Sequence, residues 1–355
     1  MKLQNLDGSY RGRKCFVTGH TGFKGSWLSL WLHRMGAEVT GYALDPPTTP
    51  NLFTLSQLAG LMHDRRGDIR DADRLRQAIA DAKPEFVFHL AAQAIVSRSY
   101  HEPKDTFDTN IGGTVNLLEA ARNCPSVRAV LVVTSDKCYE NREWPHAYRE
   151  TDALGGHDPY SASKAGTELV CTAYLRSFFE PAGLGLATAR AGNVIGGGDW
   201  AADRIIPDAV RALGAAKPVV VRNPHSVRPW QHVLEPLHGY LLLAARLADN
   251  AVYSGSWNFG PAAGSCQNVR SLVEAFLKSW GEGAWENAGT AASAGHEAGL
   301  LALDYHKAWL RLGWQPRWSF HESIERTSRW YRRQLEGEPP AALCAEDIRS
   351  FTERA

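Results

Sequence analysis

The sequence predicts an α/β fold, a doubly wound parallel sheet joined to a smaller mixed α/β domain. Three observations carry that prediction. Short strand-like segments (Lys14–Thr18, Glu38–Ala43, Leu61–Arg66, Phe86–Leu90, Arg128–Thr134) alternate with segments of helical period, the order of repeated βα units. Phe86–Leu90 and Arg128–Thr134 are apolar nearly throughout, as strands covered on both faces are. The first segment also runs straight into a glycine-rich turn and a helix, which brings a ligand to the carboxyl end of such a sheet.

Composition narrows the class. With 355 residues, a net charge of +1 and a pI near 7.7, the chain suits one large or two fused domains. It lacks the charge excess of a general nucleic-acid or membrane-surface binder. No apolar run reaches the roughly 18 residues of a membrane span, and Met1–Arg13 is too polar for a signal peptide. The 6 cysteines never form Cys-x-x-Cys, and the 13 histidines offer no spaced pair beside a third ligand. Reduced, cytoplasmic thiols and no metal site are expected.

Lys14–Thr18 leads into Gly19-His20-Thr21-Gly22-Phe23-Lys24-Gly25, and Ser26–Met35 is expected as an amphipathic helix ending at Gly36. Gly19 permits the tight turn, Gly22 lets the backbone approach a pyrophosphate, and Gly25 lets helix and strand pack closely. The helix N-terminus adds unpaired N–H groups. Asp45 follows the second strand about 20 residues past the last glycine, where a carboxylate accepts from adenosine ribose hydroxyls and repels a 2′-phosphate. That is the pattern of an NAD site. Asp71–Ala80 and Pro103–Asn123 are expected as helices. Asp68, Ala91-Ala92-Gln93 and Thr134-Ser135-Asp136 fall at strand carboxyl ends. Ala91 and Ala92 suit either a passing cofactor backbone or a packed helix.

Tyrosine precedes lysine by four residues at Tyr10/Lys14, Tyr100/Lys104 and Tyr160/Lys164. Gly12 interrupts the first pair and Pro103 the second, so neither shares a helical face. Asp158-Pro159 instead opens a proline-free helix, Ser161–Phe179, that places Tyr160 and Lys164 together. A free tyrosine titrates at about pH 10. A neighbouring lysine cation and a cationic nicotinamide favour its phenolate and make it a useful base. Ser135 is placed to bond the same substrate hydroxyl.

These motifs occur together with Thr134-Ser135-Asp136-Lys137-Cys138-Tyr139, Arg190-Ala191-Gly192-Asn193-Val194 and Arg228-Pro229-Trp230-Gln231-His232-Val233. Trp257-Asn258-Phe259-Gly260 and Leu312-Gly313-Trp314 complete the set. In order and over roughly residues 10–335, they resemble the extended short-chain dehydrogenase/reductase superfamily, and within it the nucleoside-diphosphate-sugar 4,6-dehydratases. The resemblance implies a Rossmann-type domain over 10–192 with later segments crossing back, a mainly sugar-nucleotide-binding domain over 193–335, and a tail over 336–355. It implies NAD, held by Gly19, Thr21, Gly22, Phe23, Lys24, Gly25, Asp45, Asp68, Ile69, Leu90, Ala91, Ala92, Gln93, Thr134, Tyr160 and Lys164.

The reaction implied has three steps. Hydride leaves C4 of a glucose ring while Tyr160 takes the hydroxyl proton, water is lost across C5 and C6, and hydride returns to C6. Ser135, Asp136, Lys137, Tyr160 and Lys164 are the implied catalytic residues, with Asp136 protonating the departing C6 hydroxyl. The family's usual Thr-Asp-Glu is here Ser135-Asp136-Lys137. A lysine ammonium is not a base at neutral pH. Lys137 therefore either acts uncharged as the C5 base or stays a cation that stabilises the enolate. Ser-Asp-Lys, the Gly22-Phe23-Lys24-Gly25-Ser26-Trp27 turn and His296-Glu297-Ala298 are similar to the branch acting on CDP-D-glucose, the implied substrate.

Beyond a sixth strand, Gly185–Arg190, the alternation loosens. Gly196-Gly197-Gly198-Asp199-Trp200 reads as a loop and Pro218–Val221 as extended. Ile205–Leu213, Val233–Ala248, Val269–Trp280 and Phe320–Leu335 read as helices. Guanidinium forks match phosphate oxygens, so Arg204, Arg222 and Arg228 are candidates for a substrate diphosphate, and the resemblance adds Asn193 and Asn258. An arginine that relatives carry after Gly-His-Asp is missing at Gly295-His296-Glu297-Ala298. The tail from Gly337 lacks strong periodicity and is expected to be partly disordered. Pro103–Asn123 and Ser161–Phe179 are where the superfamily forms a four-helix interface, which implies a homodimer or homotetramer. Two rivals stand beside the dehydratase: a sugar-nucleotide 4-epimerase, which has no need of Asp136-Lys137, and a non-catalytic NAD-sensing protein, which has none of an intact Tyr160–Lys164 pair.

Overall fold

The computed structural model describes residues 6–288 and 299–354. Seven strands form one sheet: β1 (Lys14–Thr18), β2 (Glu38–Ala43), β3 (His63–Arg66), β4 (Phe86–His89), β5 (Ala129–Val133), β6 (Gly185–Ala191) and β7 (Gly255–Phe259). Their order is β7-β6-β5-β4-β1-β2-β3 and every neighbouring pair is parallel. Strand order reverses between β1 and β4, so a ligand crevice opens at their carboxyl ends. Every residue of β4 and β5 is buried, because helices cover both faces, and this explains their unbroken apolar runs. β7 returns to the sheet edge beside β6 from far along the chain, with Trp257 and Phe259 fully buried.

Two helices depart from expectation for one shared reason. Helix α1 (Phe23–Arg34) is not amphipathic: Gly25 through Leu32 are all buried. Its outer side is covered by the tail, which is not disordered but forms a helix over Pro340–Glu353. Leu343, Cys344, Ile348 and Phe351 supply that helix with a buried stripe at helical spacing. The acid buried with this stripe, Asp347, is met by Arg326 at 3.2 Å. Phe351 stands edge-on to Trp31, ring centroids 5.8 Å apart, and to Trp318 at 5.0 Å.

The expected helix over 103–123 is broken by a wide π turn, Asp108–Gly112, before α2 (Gly113–Arg122). The extra residue turns Asn110 inward, where its amide accepts from Gln93 N (2.8 Å) and donates to Gln93 O (3.0 Å) and Ser163 Oγ (2.8 Å). Helix α3 (Pro159–Tyr174) likewise ends in a π turn, Leu175–Phe179. Two later helices close the molecule, α4 (Leu234–Asp249) and α5 (Phe320–Leu335), with α6 the tail helix Pro340–Glu353. Gly295-His296-Glu297-Ala298 lies outside the described residues. Among the described residues no helix is long and apolar enough to cross a membrane, and no cluster of His, Cys, Asp or Glu is placed to hold a metal.

Candidate active site

At the end of β1 the chain turns through Gly19 with φ +75°, and a Cβ there would lie 2.7 Å from Ala91 N. A Cβ on Gly25 would lie 2.0 Å from Gly19 O, so both positions need glycine. Gly22 differs. A Cβ there would meet only Gly19 O, at 3.4 Å, which leaves the space above the N-terminus of α1 open. Gly22 caps α1 without a side-chain hydrogen bond, and no acid occupies the first turn. Free N–H groups beside open space form a cradle for a pyrophosphate, so the residues fit NAD.

The other expected cofactor residues lie just past the carboxyl ends of β1 to β5, in varied settings. Thr18 Oγ1 accepts from Leu90 N (3.1 Å) and Ala91 N (3.2 Å), tying β1 to the turn after β4 next to Ala92. Thr21 donates to Leu44 O at 3.0 Å. Asp45 is 90% exposed with Arg66 Nε at 3.8 Å. Asp68 is held by Arg70, which pulls its carboxyl below the usual value, and Ile69 is buried. Phe23 is half-buried beside Lys24 at the start of α1. The side chains of Gln93 and Thr134 are spent inside the protein, on Ile95 N (2.6 Å) and on Glu168. Those two offer a ligand backbone and wall.

Ser135, just past β5, accepts from Lys137 N at 3.2 Å and so caps a short 3₁₀ turn, Asp136–Cys138. Its hydroxyl donates to Asp136 Oδ1 at 3.0 Å, and Lys137 Nζ reaches the same oxygen at 3.4 Å. Asp158 starts α3 by accepting from Ser161 N (2.9 Å) and Ser161 Oγ (2.6 Å), a cap that contributes about 1 kcal/mol. Tyr160, in the first turn, lies near enough to Ser135 for that hydroxyl to favour its phenolate. One turn later Lys164 Nζ donates to Val133 O at 3.2 Å. Only this tyrosine–lysine pair joins the centre: Tyr10 is buried against Leu241 O at 2.6 Å, and Tyr100 is exposed.

Burial pushes the Tyr160 phenol up to about 12, with the Ser135 hydroxyl and Arg204 pulling back and Asp136 adding. Burial brings Lys164 down to about 8 against the pull of Glu168. Lys24 falls to about 7, chiefly by burial, with Arg204, Lys164 and Lys137 adding and Asp136 opposing. Lys137, Lys164, Arg204 and Asp136 are thus all electrostatic neighbours of Lys24, a surplus of cations suited to an anion. Tyr240 of α4 faces the same place: burial raises its phenol first, then Tyr160 and Asp136. Its hydroxyl and Asp136 Oδ2 are both buried without a partner in the protein, an arrangement unusual for buried polar atoms. Tyr240 carries no sequence signal, because it sits mid-helix among leucines.

Of the expected substrate residues, Arg204 pairs with Asp199 Oδ2 at 2.9 Å within the cation group. Arg222 is in an exposed pair with Asp203 at 3.1 Å. Arg228 is buried on the extended segment Val227–Pro229, its Nη1 on Val227 O at 2.9 Å. Asn193 lies beside Gln231, accepting from its N–H at 3.1 Å, and Oδ1 of Asn193 is buried without a partner. Asn258 does not belong with them. It is fully buried, accepting from Tyr139 Oη (2.8 Å) and donating to Tyr148 O (2.9 Å), so its amide is used in holding the fold.

The profile described as GDP-mannose 4,6 dehydratase matches residues 16–327. The chain belongs to that family. It is 52% identical to CDP-glucose 4,6-dehydratase of Salmonella typhimurium, over 96% of this chain and 97% of the relative. Among solved structures, dTDP-glucose 4,6-dehydratase of Streptomyces venezuelae with NAD and TYD bound has a TM-score of 0.77 at 27% identity, covering 92% of this chain and 99% of that one. UDP-glucose 4-epimerase of Thermus thermophilus in complex with NAD has a TM-score of 0.75 at 26% identity, covering 90% and 98%. Dehydratases and epimerases thus share this fold. NAD is the cofactor of this dehydratase family, and the cradle at Gly22 is shaped for it.

Proposed function

We propose that this dehydratase converts CDP-D-glucose to CDP-4-keto-6-deoxy-D-glucose. The contact of Asp136 with Lys137, next to Ser135 and Tyr160, carries the reading. NAD, when bound, takes hydride from C4 and returns it to C6. Tyr160 Oη takes the C4 hydroxyl proton, and Ser135 orients that hydroxyl. With a phenol pushed up to about 12 by burial, Tyr160 needs the cations beside it to reach the phenolate. The ketone acidifies C5–H, Lys137 removes that proton, and Asp136 protonates the C6 oxygen. C5–H and C6–O break, a C5=C6 bond forms and water leaves. When hydride returns to C6, Lys137 gives its proton to C5, and the proton that Tyr160 took from C4 is released as Asp136 regains one from solvent, which resets all three groups.

Arg204 and Arg228 are the proposed diphosphate ligands and Asn193 a sugar contact. The Asp136–Lys137 dyad supports dehydration over epimerisation, and the 52% identical relative supports cytidine. A substrate deuterated at C4 tests the reaction: label at C6 of the product is expected, and label retained at C4 would mean epimerisation. Turnover across CDP-, dTDP-, UDP- and GDP-glucose tests the base, with CDP-glucose expected to be fastest.

A homodimer or homotetramer through the segments 103–123 and 161–179 is proposed as well. Phe107, Leu169 and Phe178 are large apolar side chains left exposed there. Sedimentation should find an oligomer, and Leu169→Glu should weaken it. A cytoplasmic setting agrees with cysteines that form no disulfide.

A further inference from the structure

Glu168 lies on α3 one turn past Lys164 and two past Tyr160, hence on the same face. It is fully buried, and its carboxylate joins three strands. It accepts from Thr134 Oγ1 at the end of β5, from Thr188 Oγ1 (2.7 Å) and Arg190 Nη2 (2.7 Å) on β6, and from Ser256 Oγ (3.0 Å) on β7. Arg190, 2% exposed, carries the connection onward: Nη1 donates to Tyr139 Oη at 2.7 Å, and the guanidinium lies 4.8 Å from the centre of that ring. Tyr139 directly follows the turn Asp136–Cys138. A continuous buried path therefore runs from the helix of Tyr160 and Lys164 to the turn of Asp136 and Lys137.

We infer that the Glu168–Arg190 pair is a positioning device that sets the hydride-transfer residues on α3 against the dehydration residues on the 3₁₀ turn, and that Glu168 also holds the charge of Lys164. The inference rests on the dehydratase reading. Stability alone does not explain the pair, since apolar residues of similar volume often hold a core as well as a buried ion pair does. What the pair adds is fixed geometry and a negative charge. The groups that face Lys164 are Glu168 and Cys171 on α3, Cys138 on the turn, His89 on β4 and Lys24 on α1. Burial drives Lys164 toward the neutral amine and Glu168 opposes it. Burial also works against the Glu168 charge, but Arg190 and the two threonine hydroxyls outweigh it and keep the carboxyl below its usual value. Arg190, Lys307, Cys138 and Cys171 are the groups that face Glu168 in turn.

Two variants test this with the holoenzyme. Glu168→Gln keeps the shape and removes the charge. The alkaline limb of kcat should move about one unit lower in pH, and C4 oxidation, read as absorbance of reduced nicotinamide in a single turnover, should slow about tenfold at alkaline pH. Tyr139→Phe cuts the connection to the turn and leaves the charges in place. Incorporation of solvent deuterium at C5 should slow more than C4 oxidation, with the limb unmoved. A folded Glu168→Gln protein with the wild-type limb would overturn the inference, as would a Tyr139→Phe protein that slows both steps equally. Should Glu168→Gln fail to fold by circular dichroism, the step ratio in Tyr139→Phe decides alone. A wild-type protein that makes no 4-keto product from any nucleoside-diphosphate glucose would instead defeat the dehydratase reading.

Discussion

Asp136 has Lys137 Nζ on Oδ1 at 3.4 Å and keeps Oδ2 buried without any hydrogen-bond partner. One oxygen is engaged by the protein, and the other is not. In Asp136→Asn the carboxyl proton is gone while Tyr160 and Ser135 remain. Overall turnover should fall by about 10² to 10⁴-fold, yet C4 oxidation should persist. Rapid mixing that follows reduced nicotinamide should show it accumulate and stay; equal loss of both steps would deny Asp136 its part in water loss.

The glycine turn makes a paired prediction. Gly25→Ala would drive a Cβ to 2.0 Å from Gly19 O, so the turn must deform and the melting temperature fall. Gly22→Ala meets only a 3.4 Å contact and should leave stability nearly unchanged. Its methyl group would stand in the pyrophosphate cradle, so NAD affinity should drop by about tenfold or more. Calorimetric titration with NAD, beside thermal melts of both variants, distinguishes the two effects.

Removing Phe351 should uncover α1. The ring is fully buried against Trp31 and Trp318, and deleting a buried phenylalanine costs about 3–5 kcal/mol. Because α1 begins at the cofactor cradle, Phe351→Ala should also weaken NAD binding. Denaturant unfolding with and without NAD measures both; wild-type stability would show that α6 is not a necessary cover.

Glu235 predicts a pH signature in stability. Its carboxyl, fully buried, is pushed up to about 7 by burial even though Trp318 N and Arg317 N donate to it at 2.6 Å and 3.0 Å. The folded state therefore holds this proton more tightly than the unfolded chain does. Its contribution is complete below about pH 4.5 and is lost as pH rises toward 7, a change of about 3 kcal/mol. Across that window Glu235→Gln should lack this part of the pH dependence. Melting curves of the two proteins at several pH values, subtracted, should show a difference that levels off above neutrality.

Local signals made much of this molecule legible in advance. Val269–Trp280 and Phe320–Leu335 begin and end where expected, because Asn268 and Ser319 cap them by accepting from Ser271 N and Glu322 N. The strands β4 and β5, the turn at Gly19 and the Tyr160–Lys164 spacing follow equally from residues close in the chain, whose periods and caps are physical in themselves. Tertiary structure alone decided the rest. Asn258 became a core residue because Tyr139 and Tyr148, more than 100 positions away, meet it inside. Tyr240 joined the site because α4 packs beneath it, and the tail became a helix because α1 offered its stripe a partner. No local period encodes such meetings: burial depends on which distant surface arrives, and the free energy of burying an apolar or polar group is settled only when it does.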